Sequence, residues 1–276
     1  MSTFSWLVQL IMHTSSIFSC TRFGRYLRLY LTQHGRLFGY SILGAYLLFT
    51  LLLTFFASTE YYSTQSIASA RTLRNIINMT VGFSVMPLFP IAAIVGSHLM
   101  HSISNKRNRL NTLTLPATSL EKYFSYWLIH ILFFFVAYIF VIIAADLTRT
   151  VLCSMFYPNI INIQRVTGQQ FLKEFPSKLL PIVTMSCLLI QSYFILGSTI
   201  WRRYSFFKTL GVVLALTGIT VTAIALITDQ FVPNNSSNIN LEGIANSWIY
   251  IATIPIVFNW VMAYFRFKET ELIHHV

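Results

Sequence analysis

The side chains best suited to chemistry are three histidines, His98, His101 and His130, that stand at the ends or edges of strongly apolar runs. His98 and His101 close one run and His130 lies early in another, so adjacent helices would hold them at similar depth, the setting in which imidazoles ligate haem or a metal. Ionisable groups inside a membrane run are functional candidates by default; equally, a histidine a turn or two from the interface is satisfied by water or headgroups. His274 and His275, at the tail, are expected to be solvated. A second constellation is "LPATSLEKYFSYWL", residues 115–128. Pro116 disfavours helix in the residue before it, and Thr118 with Glu121 three positions on matches a capping box, in which each side chain satisfies a backbone donor at the helix start. Glu121 and Lys122, with Lys106, Arg107 and Arg109 of "NKRNR", form a charged cluster. It serves either as a contact for a partner or as a solvated cluster that sets orientation. Pro87 and Pro90, flanked by Gly82 and Gly96, predict a kinked helix. Its freed carbonyls would line a path, unless the kink is merely architectural.

No paired carboxylates, no nucleophile beside a base and no G-x-x-x-x-G-K-[ST] segment occur, so no catalysis and no cofactor are expected of this chain. Cys20, Cys153 and Cys187 are too widely spaced for a metal knuckle, and Cys187 sits within an apolar run.

The elements that must position these residues follow from composition. With 55% hydrophobic and only 10% charged residues over 276, the chain lies outside soluble domains, where charged residues make up about a quarter. Six apolar runs, near 38–57, 80–100, 124–145, 179–200, 207–228 and 247–265, are each long enough to cross about 30 Å of hydrocarbon. They lack the alternation of barrel strands, and lipid leaves helices as the alternative. The expected fold is therefore an all-α polytopic membrane protein with six transmembrane helices. Residues 1–37 form an N-terminal cytoplasmic segment, 38–265 the membrane domain and 266–276 a tail. The first fifteen residues lack a basic region of the kind that precedes a cleaved signal peptide, and both Met1 and Met12 fit as a start. In 22–36, Phe23, Tyr26, Leu27, Tyr30 and Leu31 share one face and Arg22, Arg25 and Arg28 the other, the pattern of an amphipathic helix at a membrane surface. That helix anchors to lipid headgroups, with or without a further role as a partner's docking surface.

Orientation follows from the basic residues. Six crossings place Arg22, Arg25, Arg28, Arg36, Lys106, Arg107, Arg109, Lys122, Arg202, Arg203, Lys208, Arg266 and Lys268 on the side of the termini. Only Arg71, Arg74, Arg149, Arg165, Lys173 and Lys178 fall on the other. The asymmetry predicts cytoplasmic termini and accounts for the net charge of +11. No basic soluble domain is present to bind nucleic acid, and none is expected to be bound.

The segments "RFGRYLRLYLTQHGR", "LTLPATSLEKYFSYWL", "LGSTIWRRYSFFKTL" and "YFRFKETELI", in that order from about residue 18 onward, resemble the six-helix permease subunits of ABC-2 type transporters. The similarity is to a bacterial group with a leucine-proline-alanine-serine, glutamate-lysine-phenylalanine element. Thr118 and Tyr123 stand where serine and phenylalanine are commoner, preserving capping and aromatic character. The resemblance implies an exporter in the inner membrane, pairing of this chain with itself or with a related permease, and a separate cytoplasmic subunit that binds ATP and Mg. It also implies that Arg22, Arg25, Arg28, Thr118, Glu121 and Lys122 couple to that partner, while Pro87, Pro90, His98 and His130 mark a kink or path. The alternative is a membrane-embedded redox or assembly protein that uses its histidines.

The basic asymmetry makes residue 105 a test of topology. A variant whose only reactive thiol is Asn105→Cys is expected to resist a membrane-impermeant maleimide in intact cells and to react after permeabilisation; efficient labelling from outside would invert the orientation.

Overall fold

A computed structural model describes residues 18–62, 70–99, 117–158, 163, 165, 166, 170, 179–201, 203–231 and 241–272, with the backbone alone at 70, 71, 223–231, 241–246 and 270–272. Lys106, Arg107, Arg109, His101, His274 and His275 lie outside the described residues. Among those described the secondary structure is helical: α1 (Cys20–Tyr62), α2 (Ala70–Val85), α3 (Leu88–His98), α4 (Ser119–Leu128), a π-helical turn (Ile129–Phe133), α5 (Phe134–Phe156), α6 (Leu179–Ile200), α7 (Ser205–Phe231) and α8 (Leu241–Leu272). Six helical stretches are long and apolar enough to cross a membrane, with α4, the π turn and α5 forming one of them. The chain forms two compact units, Met1–Phe89 with Phe124–Leu180, and Pro90–Tyr123 with Pro181–Val276.

In the first unit the amphipathic stretch 22–36 is helical and runs without a break into the first span, so that α1 is 43 residues long, about 65 Å at 1.5 Å per residue. Gly35 and Gly39 do not interrupt it. A glycine inside a helix costs about 1 kcal/mol, less than leaving several backbone groups unsatisfied at the edge of lipid. Part of the apolar face of 22–36 is covered by protein. Tyr26, Tyr30, His34 and Phe38 recur every fourth residue on α1, as do Tyr126, His130, Phe134 and Tyr138 on the third span, and residues four apart share one helix face. The Tyr26 hydroxyl donates to that of Tyr126 at 2.8 Å, Tyr30 meets Tyr126 edge-on at 5.0 Å, and Phe38 meets His130 and Phe133 at 6.5 and 6.2 Å. Further along, Phe49 meets Tyr138 and Tyr61 meets Tyr157. Contacts that advance together along both helices make α1 and the third span parallel. α2 runs antiparallel to α1, with Phe83 stacked on Phe56 and Asn75 bonded to Glu60 at 3.4 Å.

This register also sets the apolar belt. Large exposed apolar side chains run from Leu37 to Tyr62 on α1; on the third span they are Leu120 and Phe124 and then a run from Leu132 to Phe156. The Phe38–Phe133 and Tyr61–Tyr157 contacts align the two ranges. Arg22, Arg25, Arg28 and Arg36 all fall beyond one end of the belt.

In the second unit, α3, α6, α7 and α8 pack through small residues. A Cβ on Gly96 would stand 2.9 Å from the Gln191 carbonyl oxygen and 3.1 Å from the Phe194 Cβ, and one on Gly197 would collide with Thr209. Close backbone approach of this kind is how helices associate where the surrounding solvent is as apolar as their side chains. Tyr204, at φ 55°, takes a left-handed conformation in the short connection between α6 and α7, a costly one for an aromatic residue.

Gly96→Ala is therefore expected to lower stability in detergent by about 1–3 kcal/mol, the usual cost of overpacking. Gly82→Ala, where nothing lies within 4 Å, should leave the melting midpoint unchanged or raise it, since alanine favours helix by about 1 kcal/mol.

Candidate functional site

The most polar feature inside the first unit is an ion pair on α5. Arg149 is fully buried and Asp146 nearly so. The spacing of three places both on one helix face, and Asp146 Oδ1 accepts from Arg149 Nε at 2.9 Å and Nη2 at 2.8 Å. The other carboxylate oxygen, Oδ2, accepts from the backbone N–H of Val166 at 3.0 Å. Tyr61, at the end of α1, lies beside Arg149. Around this node Ala57, Tyr61, Ile76 and Cys153 form a buried cluster on which Tyr157 and Ile163 pack. The pair thus ties α1, the third span and the segment after α5 together. Asp146 directly follows the apolar run 124–145, and exposed apolar side chains continue past it at Leu147, Val151, Met155 and Phe156.

The second feature is the start of α4. Glu121 N–H donates to Thr118 Oγ1 at 3.3 Å and Thr118 N–H donates to Glu121 Oε2 at 3.0 Å, both halves of a reciprocal box. Glu121, Lys122 and Tyr123 are buried while Leu120 and Phe124 face outward. The two charges at 121 and 122 therefore sit inside the fold and are not offered on its surface. Box and arginines are not brought into one unit: Thr118, Glu121 and Lys122 belong to the second, and Arg22, Arg25 and Arg28 to the first. Arg25 and Arg28 are exposed and Arg22 is half-buried.

The second span is interrupted at Met86–Pro87, between α2 and α3. In a continuous helix the Ser84 carbonyl would accept from residue 88; here the Tyr138 hydroxyl donates to it at 2.7 Å. Pro90 lies in the first turn of α3, where a missing N–H costs no intrahelical bond. His98 ends α3 and is exposed, in the second unit. His130, in the first, is buried in the π turn, its Nδ1 2.9 Å from the Tyr126 carbonyl. A carbonyl only accepts, so Nδ1 carries the proton. A side chain that competes for a carbonyl four residues back is a recognised cause of such helix irregularities. Among the described residues no group of three or more His, Cys, Asp and Glu is arranged to hold a metal ion.

The chain matches no family model, no curated protein and no solved structure. What the fold and the buried polar groups define is the class: a multi-pass α-helical membrane protein.

Removing one member of the ion pair strands the other in a low-dielectric site. Asp146→Leu or Arg149→Met alone is expected to cost about 3–5 kcal/mol, and the double variant to recover most of the loss. Denaturation of the purified chain in mild detergent distinguishes this from additive losses, which would show that the two side chains act separately.

Proposed function

We propose that this chain is the membrane-spanning subunit of an ATP-driven exporter of the ABC-2 type. In this reading it pairs with a second permease subunit, a copy of itself or a relative, and a separate cytoplasmic subunit binds ATP and Mg. The termini lie in the cytoplasm and the bilayer is the inner membrane. The observation that carries the reading is the reciprocal Thr118–Glu121 box at the start of the third span, which lies in the element on which the resemblance rests. A subunit moved by another polypeptide needs a stiff element joined directly to a span, because a flexible loop would absorb the displacement. The box supplies one. With Glu121 and Lys122 buried, the element would act through its backbone and packing, and exposed residues beside it would meet the partner. The histidine-based alternative has less support, because among the described residues no group of three or more His, Cys, Asp and Glu is arranged to hold a metal ion.

Purification from native membranes with associated polypeptides retained, followed by mass spectrometry, is expected to recover a Walker-motif ATPase. In the reconstituted complex Thr118→Ala should lower transport-stimulated ATP hydrolysis at unchanged membrane abundance, because losing a cap of about 0.5–2 kcal/mol frays the start without preventing insertion. Recovery of no nucleotide-binding partner would reject the reading.

A further inference from the structure

The residue after the buried charges makes the most specific tertiary contact of the capped start. Tyr123 Oη donates to the backbone carbonyl of Trp260 on α8 at 2.8 Å. Its ring lies edge-on to Tyr264 at 5.5 Å and tilted against Phe267 at 6.0 Å. Phe267 is itself fully buried, as is Ala263 one turn earlier. Residues 260, 264 and 267 recur at the spacing of one helix face, so Tyr123 is seated along nearly two turns of α8. All of these residues belong to the second unit. A hydroxyl donating to a carbonyl fixes distance and direction, while ring packing resists sliding along the helix axis. The box, two to five residues earlier, fixes the backbone from which Tyr123 projects.

We infer that Tyr123 is a positioning residue that links the capped start of the third span mechanically to the last helix, so that a displacement of residues 118–123 is delivered to α8 as well as to α4. As a route for ATP-driven movement this rests on the exporter reading; as a mechanical link it does not, and its test needs neither ATP nor a partner.

The test uses the full chain in detergent with Cys20, which is exposed, replaced by serine, and a nitroxide on Lys268→Cys, an exposed position of α8. Thr118→Ala is expected to increase the mobile component of the spectrum about fivefold, the population change that follows from losing a typical cap. In a Tyr123→Ala background the same change should add nothing, because the link is already cut; non-additivity is the signature of coupling. Tyr123→Phe keeps the rings and removes only the hydroxyl, so it serves as the variant that retains the packing of the fold, and it should weaken the response to Thr118→Ala without abolishing it. A label at 268 that ignores Thr118→Ala, or that responds equally with and without Tyr123, overturns the inference. Finding no ATPase partner would defeat the exporter reading and leave this result standing.

Discussion

Two long helices set side by side in parallel give the first unit its frame. α1 and the third span make contact from Tyr26 and Tyr126 at one end to Tyr61 and Tyr157 at the other. The contact is built from large rings repeated every fourth residue, which makes it directional as well as apolar: edge-on ring pairs and a tyrosine–tyrosine hydrogen bond fix which residue of one helix faces which residue of the other. Once that register is set, the level of the other groups on these two helices follows. The four arginines of the N-terminal stretch fall outside the belt of exposed apolar side chains, and Asp146 and Arg149 fall within it. A slip by one turn would move a charged group about 5.4 Å toward or away from lipid.

Polar groups in this fold are satisfied by a few recurring means. Serines and threonines return their hydroxyls to carbonyls three or four residues back, as Thr50, Thr54, Thr80 and Ser84 do, which removes an unpaired donor without calling on another helix. Where regular helix stops, a neighbour supplies the missing donor: Tyr138 serves the Ser84 carbonyl beside the Pro87 break. Among the described residues, bonds between helices join elements near in the chain, as Asn75 does with Glu60, and distant ones, as Asn259 does with Ser192 at 3.0 Å and Trp248 with Ser186 at 3.1 Å. The Asp146–Arg149 pair is the extreme case. Both carboxylate oxygens are used, and the donors come from the same helix and from a following segment. Such a node costs desolvation, offset only as far as its donors and acceptors are paired.

The opposite end of the third span is organised differently. There a local device, the reciprocal box, defines where helix begins, and the tertiary contacts of Tyr123 define what that beginning is attached to. A cap by itself specifies a start and no destination. The hydroxyl bond to Trp260 and the two aromatic contacts give the start a destination on α8. The third span therefore carries a fixed point near each end, one made of charge and one of aromatic packing, with the irregular turn at His130 between them.

Local and periodic features were legible in the sequence. The fold class, the number of spans, the helical nature of 22–36, the break at Pro87 and the box at Thr118 and Glu121 all depend on neighbours within four residues or on the mean polarity of about twenty, and a linear string records both. The fourfold aromatic spacing on α1 and the third span was present too, as was the three-residue spacing of Asp146 and Arg149, though neither spacing says what lies opposite. Only the tertiary structure decided the rest. It set the register of the third helix against α1. It buried Glu121 and Lys122, whose side chains any isolated helix would leave in water, and it seated Tyr123 on a helix 137 residues away. Burial of a charge depends on the partners that gather round it from distant parts of the chain, and those partners are fixed by packing, which no local spacing encodes.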